Sequence, residues 1–511
     1  MILIRMKKVS SAVVPIIRID REAPKSLQRQ VYEGFRAAIL SGTLRPGQRV
    51  PSTRVLGSEL GISRIPALNA YAQLLAEGYF QSRVGAGTRV SPSIANQGAL
   101  SKSRSFGPAT RRRGPRRPAK HVLHRYLIEN APWPRGWGAF GIGQVALDQF
   151  PFQVWNGLIT RHSRNARVKS FHYGNPFGSK DLREAIAVYL RTARDVHCEA
   201  EQIMIVCGSQ QALQISAQVL LNEGDPVWME EPGYRLARSV FTLNGSPIVP
   251  VPVDHEGLNV AAGIKRCPKA RLALVTPSHQ FPLGVTMSAS RRLQLLDWAE
   301  SSGSWILEDD YDSEFRYDTM PISSLEGLDG NSRVLYIGTL SKTLFPSLRL
   351  GYVVIPFDLI DHFSAVRVAM DIGPPAFLQG VVADFIREGH FSRHIRRMRS
   401  LYRERQRALI DSIGKELGPG GEITGEQAGM HLCLLLNGID DREVASRAAR
   451  HHLWLVPLSS SYLSRIRRQG FILGFGSTAV EKIADAVSKL GALLVSDVHS
   501  GLPRASAPRA S

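Results

Sequence analysis

Four short runs hold the residues with most chemistry to offer. In "GTLSKTLFPSLRLGY", residues 338–352, Lys342 stands beside Thr339 and Ser341, with Arg349 further on. In "ILEDDYDSE" an apolar run ends in acids and brings Asp309 and Tyr311 together; "CGSQQAL" offers Gly208, Ser209 and Gln210, and "EEPGY" offers Tyr234. A lysine at a strand end can form an imine with an aldehyde, and a carboxylate such as Asp309 beside a pyridine nitrogen keeps that ring protonated as an electron sink. Backbone N–H groups at the helix start of "GSQQ" favour an anion. Arg349 suits bidentate binding of a phosphate, Thr339 and Ser341 can add hydroxyl contacts, and the Tyr234 ring can cover a flat ligand. Jointly these residues describe a site for pyridoxal 5′-phosphate with Lys342 as its covalent anchor.

The elements that must position them alternate. Apolar runs "QIMIVCG", "PVWMEE", "RLALVTPS", "WILEDD", "RVLYIG" and "GYVVIP" read as strands. Between them lie amphipathic stretches such as "QQALQISAQVLLNEG" and "RRLQLLDWAESSG". This pattern predicts an α/β domain over residues 121–495 with a largely parallel sheet, ligands gathering at the carboxyl ends of its strands. After about Leu417 the sequence reads as a smaller α+β subdomain.

Residues 23–90 read differently. "SLQRQVYEGFRAAIL" spaces Leu27, Val31, Phe35 and Ile39 as a helix face. "PSTRVLGSEL", with Ser52 as N-cap and Gly61 as C-cap, runs into "SRIPALNAYAQLLAEGY", capped by Ser63. Leu56 and Leu60 are expected to face Leu68, Tyr71 and Leu75 across this joint, a helix-turn-helix. "YFQSRVGAGTRV" predicts a two-stranded wing. Charge follows the same division: residues 1–120 hold 22 Lys and Arg against 5 Asp and Glu, so most of the net +20 is N-terminal. A basic module joined to a nearly neutral large domain suits a polyanion partner for the one and small-molecule chemistry for the other. Residues 91–120, rich in Ser, Gly, Pro and Arg, predict a flexible basic linker.

No run of about 18 uncharged apolar residues exists to span a bilayer, and the N-terminus lacks the features of an export signal. Cys198, Cys207, Cys267 and Cys433 are scattered, so no disulfide framework and no zinc or other metal site is indicated, and a cytoplasmic setting is expected.

The run from "PSTRVLGSELG" to "GAGTRV" resembles the winged helix-turn-helix of GntR-family regulators. That resemblance implies double-stranded operator DNA as partner, with Arg54, Ser63 and Arg64 at base edges or phosphates and Gly85 at the wing tip. Residues of roughly 150 to 490 resemble fold-type I aminotransferases. "YGNPFGSKDLREAIAVYL", "EEPGY", "TPSHQFPLG", "EDDYDSEFRY" and "GTLSKTLFPSLRLGY" are similar to those of MocR/GabR-type regulators, which join both domains. The resemblance implies Lys342 as Schiff-base lysine, Asp309 as partner of the ring nitrogen and Tyr311 as donor to the ring hydroxyl. It also implies Tyr234 over the ring and Arg349, Ser209 and Gln210 on the phosphate. It further implies a homodimer, with Tyr173 a candidate to reach the partner's phosphate site. Two departures stand out: Phe281 replaces the aminotransferase asparagine in "QFPLG", and "GFILGFG" has Phe471 where a carboxylate-clamping arginine is expected, leaving Arg467 and Arg468 as substitutes. The resulting expectation is a transcriptional regulator whose cofactor-binding domain senses an amino compound, or the cofactor itself, through Lys342. The alternative is an aminotransferase with an accessory DNA-binding domain.

Overall fold

The computed structural model describes residues 6–9, 12–15, 17–83, 86–96, 138–166, 172–317 and 322–499. The chain divides into two compact units, Met1–Arg117 and Pro118–Ser511. Most of the expected linker, residues 97–120, and the start of the large domain up to residue 137 lie outside the described residues.

The first unit opens with an antiparallel hairpin, β1 (Met6–Val9) and β2 (Ala12–Pro15). Three helices follow, Leu27–Leu40, Thr53–Leu60 and Arg64–Ala76. Ser26 and Ser52 cap the first two by accepting from the N–H of Arg29 and Val55. Gly61 turns the chain in the left-handed region, φ 63°, where a Cβ is costly, and so ends the second helix sharply. The antiparallel pair β3 (Phe80–Arg83) and β4 (Gly87–Val90) forms the expected wing. Val31, Phe35, Leu56, Tyr71, Leu74 and Phe80 fill the core. The rings of Phe35, Tyr71 and Phe80 meet edge to face at 5.0 to 5.4 Å. The expected helix joint differs in one respect: Tyr71 is buried, but Leu68 and Leu75 face outward, and Ala67, Ala70 and Leu74 supply the inner face of the third helix. Ala67, Ala70, Tyr71 and Leu74 stand at i, i+3, i+4 and i+7, a complete helix face, and Leu68 and Leu75 each lie one position round from it.

The second unit is built on eight strands: β5 (Ile203–Val206), β6 (Val227–Glu231), β7 (Ile248–Asp254), β8 (Gly257–Leu258), β9 (Leu272–Val275), β10 (Trp305–Asp310), β11 (Val334–Thr339) and β12 (Gly351–Val354). Their order across the sheet is β5-β12-β11-β10-β9-β6-β7-β8. The central run from β11 to β7 is parallel, whereas β12 lies antiparallel between β5 and β11. Side chains alternate between faces, as the pleat requires. Ile203 and Ile205 join the core shared with helices Lys180–Ala193 and Phe377–Arg387, while Met204 and Val206 join the core under helices Ser209–Leu220 and Arg235–Leu243. A four-stranded antiparallel sheet follows, formed by β13 (Glu422–Thr424), β14 (His431–Leu436), β15 (Val456–Pro457) and β16 (Gln469–Gly474) in the order β13-β14-β16-β15. Helices Asp441–Ala449 and Val480–His499 accompany it, giving the smaller α+β subdomain. No helix among the described residues is long and apolar enough to cross a membrane.

Candidate functional site

The parallel strands point their carboxyl ends at one edge of the sheet, and a cavity of about 510 Å³ opens there. Every residue expected to hold the cofactor lines it: Ser209, Gln210, Tyr234, Asp309, Tyr311, Thr339, Ser341, Lys342 and Arg349. Register explains the meeting. Asp309 on β10 pairs with Ile337 on β11, so the acid and the turn carrying Lys342 leave adjacent strands at the same level.

Lys342 Nζ donates to the carbonyl of Gly143, 3.4 Å away. Gly143 has φ +71°, and a Cβ there would stand 2.1 Å from Nζ, so only glycine fits under the amine. Burial lowers the Lys342 ammonium from its ordinary value, opposed by the nearby charges of Asp312 and Asp309. The group is thereby biased toward the neutral amine, the nucleophilic form. Burial pushes the Asp309 carboxyl up to about 7, with Asp310 and Glu230 adding to the effect and Lys342 opposing it. A cation at its free oxygen would restore the ionised form.

The anion seat lies at the start of helix Ser209–Leu220. Gly208 precedes it at φ 82°. Arg349 packs its guanidinium against this glycine, 3.3 Å from where a Cβ would be, and donates to the Cys207 carbonyl at 2.7 Å. Arg349 is itself left-handed, φ 52°, a strained choice for a non-glycine that costs on the order of 1 kcal/mol and aims the fork at the helix start. Thr339 Oγ1 accepts from the Ser341 N–H, holding the intervening turn closed. Tyr234 and Phe281 meet edge to face at 5.6 Å on the cavity wall, and burial raises the Tyr234 phenol to about 12.

Tyr311 donates its O–H to the His279 carbonyl at 2.9 Å and lies 3.2 Å from His279 Nδ1. That nitrogen is in turn 3.1 Å from Asp312. His431, buried and pushed to about 3 chiefly by burial and then by His279, completes a tight group in which donor atoms of His279, Asp312 and His431 lie within 4.8 Å of one another. This convergence has no signature in the residue pattern, because the three residues come from separate segments without ligand-like spacing. Gly143 and Arg235 also line the cavity without a sequence signal. Arg235 is half-buried on the cavity wall, its guanidinium depressed by burial and by the neighbouring Arg442. Of the expected substitutes for the carboxylate clamp, Arg467 and Arg468 do not line the cavity; Arg468 pairs with Glu422 at 3.6 Å, and Phe471 is buried in β16. Tyr173 is exposed at 86%.

The cavity suits a phosphorylated pyridine aldehyde. Asp309 Oδ1 and Ser341 Oγ are buried on its wall without a hydrogen-bond partner among the described residues. A ring-nitrogen cation and phosphate oxygens are the groups that would satisfy such atoms.

In the first unit, Arg54 and Arg64 are exposed on successive helices, with Arg64 Nε 3.4 Å from Thr53 Oγ1. Ser63 occupies the N-cap position of helix Arg64–Ala76, but its side chain makes no capping bond. Gly85 lies outside the described residues.

Comparison with known proteins matches both halves. Residues 27–90 fit the model of bacterial regulatory proteins of the gntR family, and residues 139–472 fit that of aminotransferase class I and II. The probable rhizopine catabolism regulatory protein MocR of Rhizobium meliloti is 39% identical, over 95% of this chain and 97% of its own. The HTH-type transcriptional regulator TauR of Rhodobacter capsulatus is 31% identical, over 92% and 96%. Among solved structures, Pyrococcus horikoshii kynurenine aminotransferase in complex with PMP aligns with a TM-score of 0.66 at 26% identity, covering 79% of this chain and 99% of that one.

Proposed function

Since the chain belongs to the family of HTH-type regulators that join a GntR domain to an aminotransferase class I and II domain, we propose that it is a cytoplasmic transcriptional regulator. In this reading its winged helix binds operator DNA while its large domain holds pyridoxal phosphate at Lys342 and registers an amino compound there. The observation that carries the reading is the convergence, in one buried cavity, of Lys342, Asp309 and the anion seat at Gly208, Ser209 and Arg349, on a chain that also has a helix-turn-helix. When bound, the cofactor supplies an aldehyde that condenses reversibly with an amine. Lys342, biased toward its neutral form, is the resident amine, and Asp309 offers a carboxylate to the ring nitrogen. Arg349, Ser209 and Gln210 take the phosphate. Tyr234 and Phe281 wall off the ring and exclude water. Tyr311, held through His279 and Asp312, keeps a phenolic proton beside the reacting end. Arg235 meets an anionic group on the effector and takes the place of the clamp that Phe471 does not supply. By family analogy the working form is a homodimer.

The test is a gel shift on DNA upstream of the protein's own gene, with and without pyridoxal phosphate and a panel of amino compounds. The parent should respond to at least one amino compound. Lys342→Ala should still bind DNA but lose that response, and should lose the borohydride-reducible yellow adduct. An unchanged response in Lys342→Ala would refute the sensing reading, and rapid multi-cycle turnover with an amino donor and a keto acid would favour an aminotransferase instead.

A further inference from the structure

The third helix of the first unit has an apolar outer face. Its inner side is Ala67, Ala70, Tyr71 and Leu74, and its outer side presents Ile65 and Leu68 at 66% and 46% exposure, three positions apart and so neighbours on the surface. Asn69 is exposed beside them, and Val55 on the preceding helix adds 40% exposure. A helix face turned to water normally carries charge. Here helix Arg64–Ala76 contains no acid, and exposed cations flank the apolar spot: Arg64 adjoins Ile65 and reaches Thr53 Oγ1 at 3.4 Å, beside which Arg54 is exposed. An apolar patch flanked by arginines is complementary to a polyanion that offers apolar points of its own. The major groove of DNA is such a surface, because thymine projects its 5-methyl group there between flanking phosphates.

We propose that Ile65 and Leu68 are the sequence-reading contacts of this protein, seated against thymine 5-methyl groups. The operator half-site beneath the first turn and a half of this helix is then made of A·T pairs. Asn69 strengthens the same preference, since its amide can pair with adenine N6 and N7. Arg54 and Arg64 supply flanking contacts that hold the helix in register. The inference rests on the reading that this unit binds operator DNA, and it names the bases that the unit recognises.

The experiment uses the full chain and a library of randomised duplexes. The parent should recover a half-site with thymine at defined positions, and Ile65→Ala should lose the preference at one of them. Replacing that thymine by uracil, which removes only the methyl, should weaken parent binding about four-fold, the worth of one buried methyl group. The same replacement should leave Ile65→Ala unaffected, and Leu68→Ala should behave likewise at its own position. A recovered consensus in which uracil serves the parent as well as thymine overturns the inference while leaving DNA binding intact. It is equally overturned if Ile65→Ala keeps the parent's base preference and changes only the association state, which would make the face a protein contact. A library that yields no consensus overturns both this inference and the operator-binding reading.

Discussion

Lys342 is held between opposing influences, and the balance can be measured. Burial lowers its pKa, whereas Asp312 and then Asp309 raise it. Asp312→Asn removes the larger of the two raising charges, so the ammonium should lose its proton at a lower pH. The pH at which the rate of adduct formation with pyridoxal phosphate is half-maximal should therefore fall in Asp312→Asn relative to the parent, followed by stopped-flow absorbance across a pH series. An unchanged or higher midpoint would mean that Asp312 acts on Tyr311 through His279 alone, and not on the lysine. The site's chemistry was largely legible at this scale, because lysine, aspartate and the "GSQQ" helix start have few other joint uses. What could not be read was the support. His279, Asp312 and His431 become neighbours only through packing between β14 and the segments after β9 and β10.

At the scale of elements, the strands ending in the site residues stood out because their residues are apolar without interruption, as parallel strands buried on both faces must be. By contrast β7, "IVPVPVD", is not legible as a strand, because Pro250 and Pro252 argue against one. It is tolerated near the sheet edge, paired in parallel with β6 and only briefly with β8. The outward turn of Leu68 and Leu75 was illegible for a related reason: leucines and alanines share the helix, and periodicity alone does not say which set faces in. Segment 138–147, which slides Gly143 beneath the lysine, has neither strand nor helix pattern and was invisible as a functional element. Its importance is testable. Gly143→Ala places a side chain at φ +71° and within 2.1 Å of Nζ, forcing Lys342 to move. Pyridoxal phosphate loading, read as borohydride-fixed adduct, should drop at least about ten-fold, equivalent to about 1.4 kcal/mol. DNA binding without effector should persist. Gly157→Ala, in a helix with no atom within 4 Å of the new Cβ, should leave loading unchanged.

For the whole molecule the question is how one domain's ligand reaches the other's, and thermodynamics constrains the answer without any assumption about how the units are arranged. If an amino compound changes the affinity for operator DNA by some factor, saturating DNA must change the affinity for that compound by the same factor. A coupling of 1–3 kcal/mol, typical of such linkages, corresponds to roughly 5- to 150-fold. Calorimetric titration of the amino compound into cofactor-loaded protein, with and without a saturating operator duplex, should therefore reproduce the factor measured independently by gel shift. In Lys342→Ala both factors should collapse to one, since the mutant lacks the amine that the effector displaces and so loses the difference between its two states. Unequal factors in the parent would show that a further equilibrium, such as a change of association state, had been left out of the cycle. A factor that survives in Lys342→Ala would place the sensing contact elsewhere on the cavity wall, with Arg235 the first residue to examine.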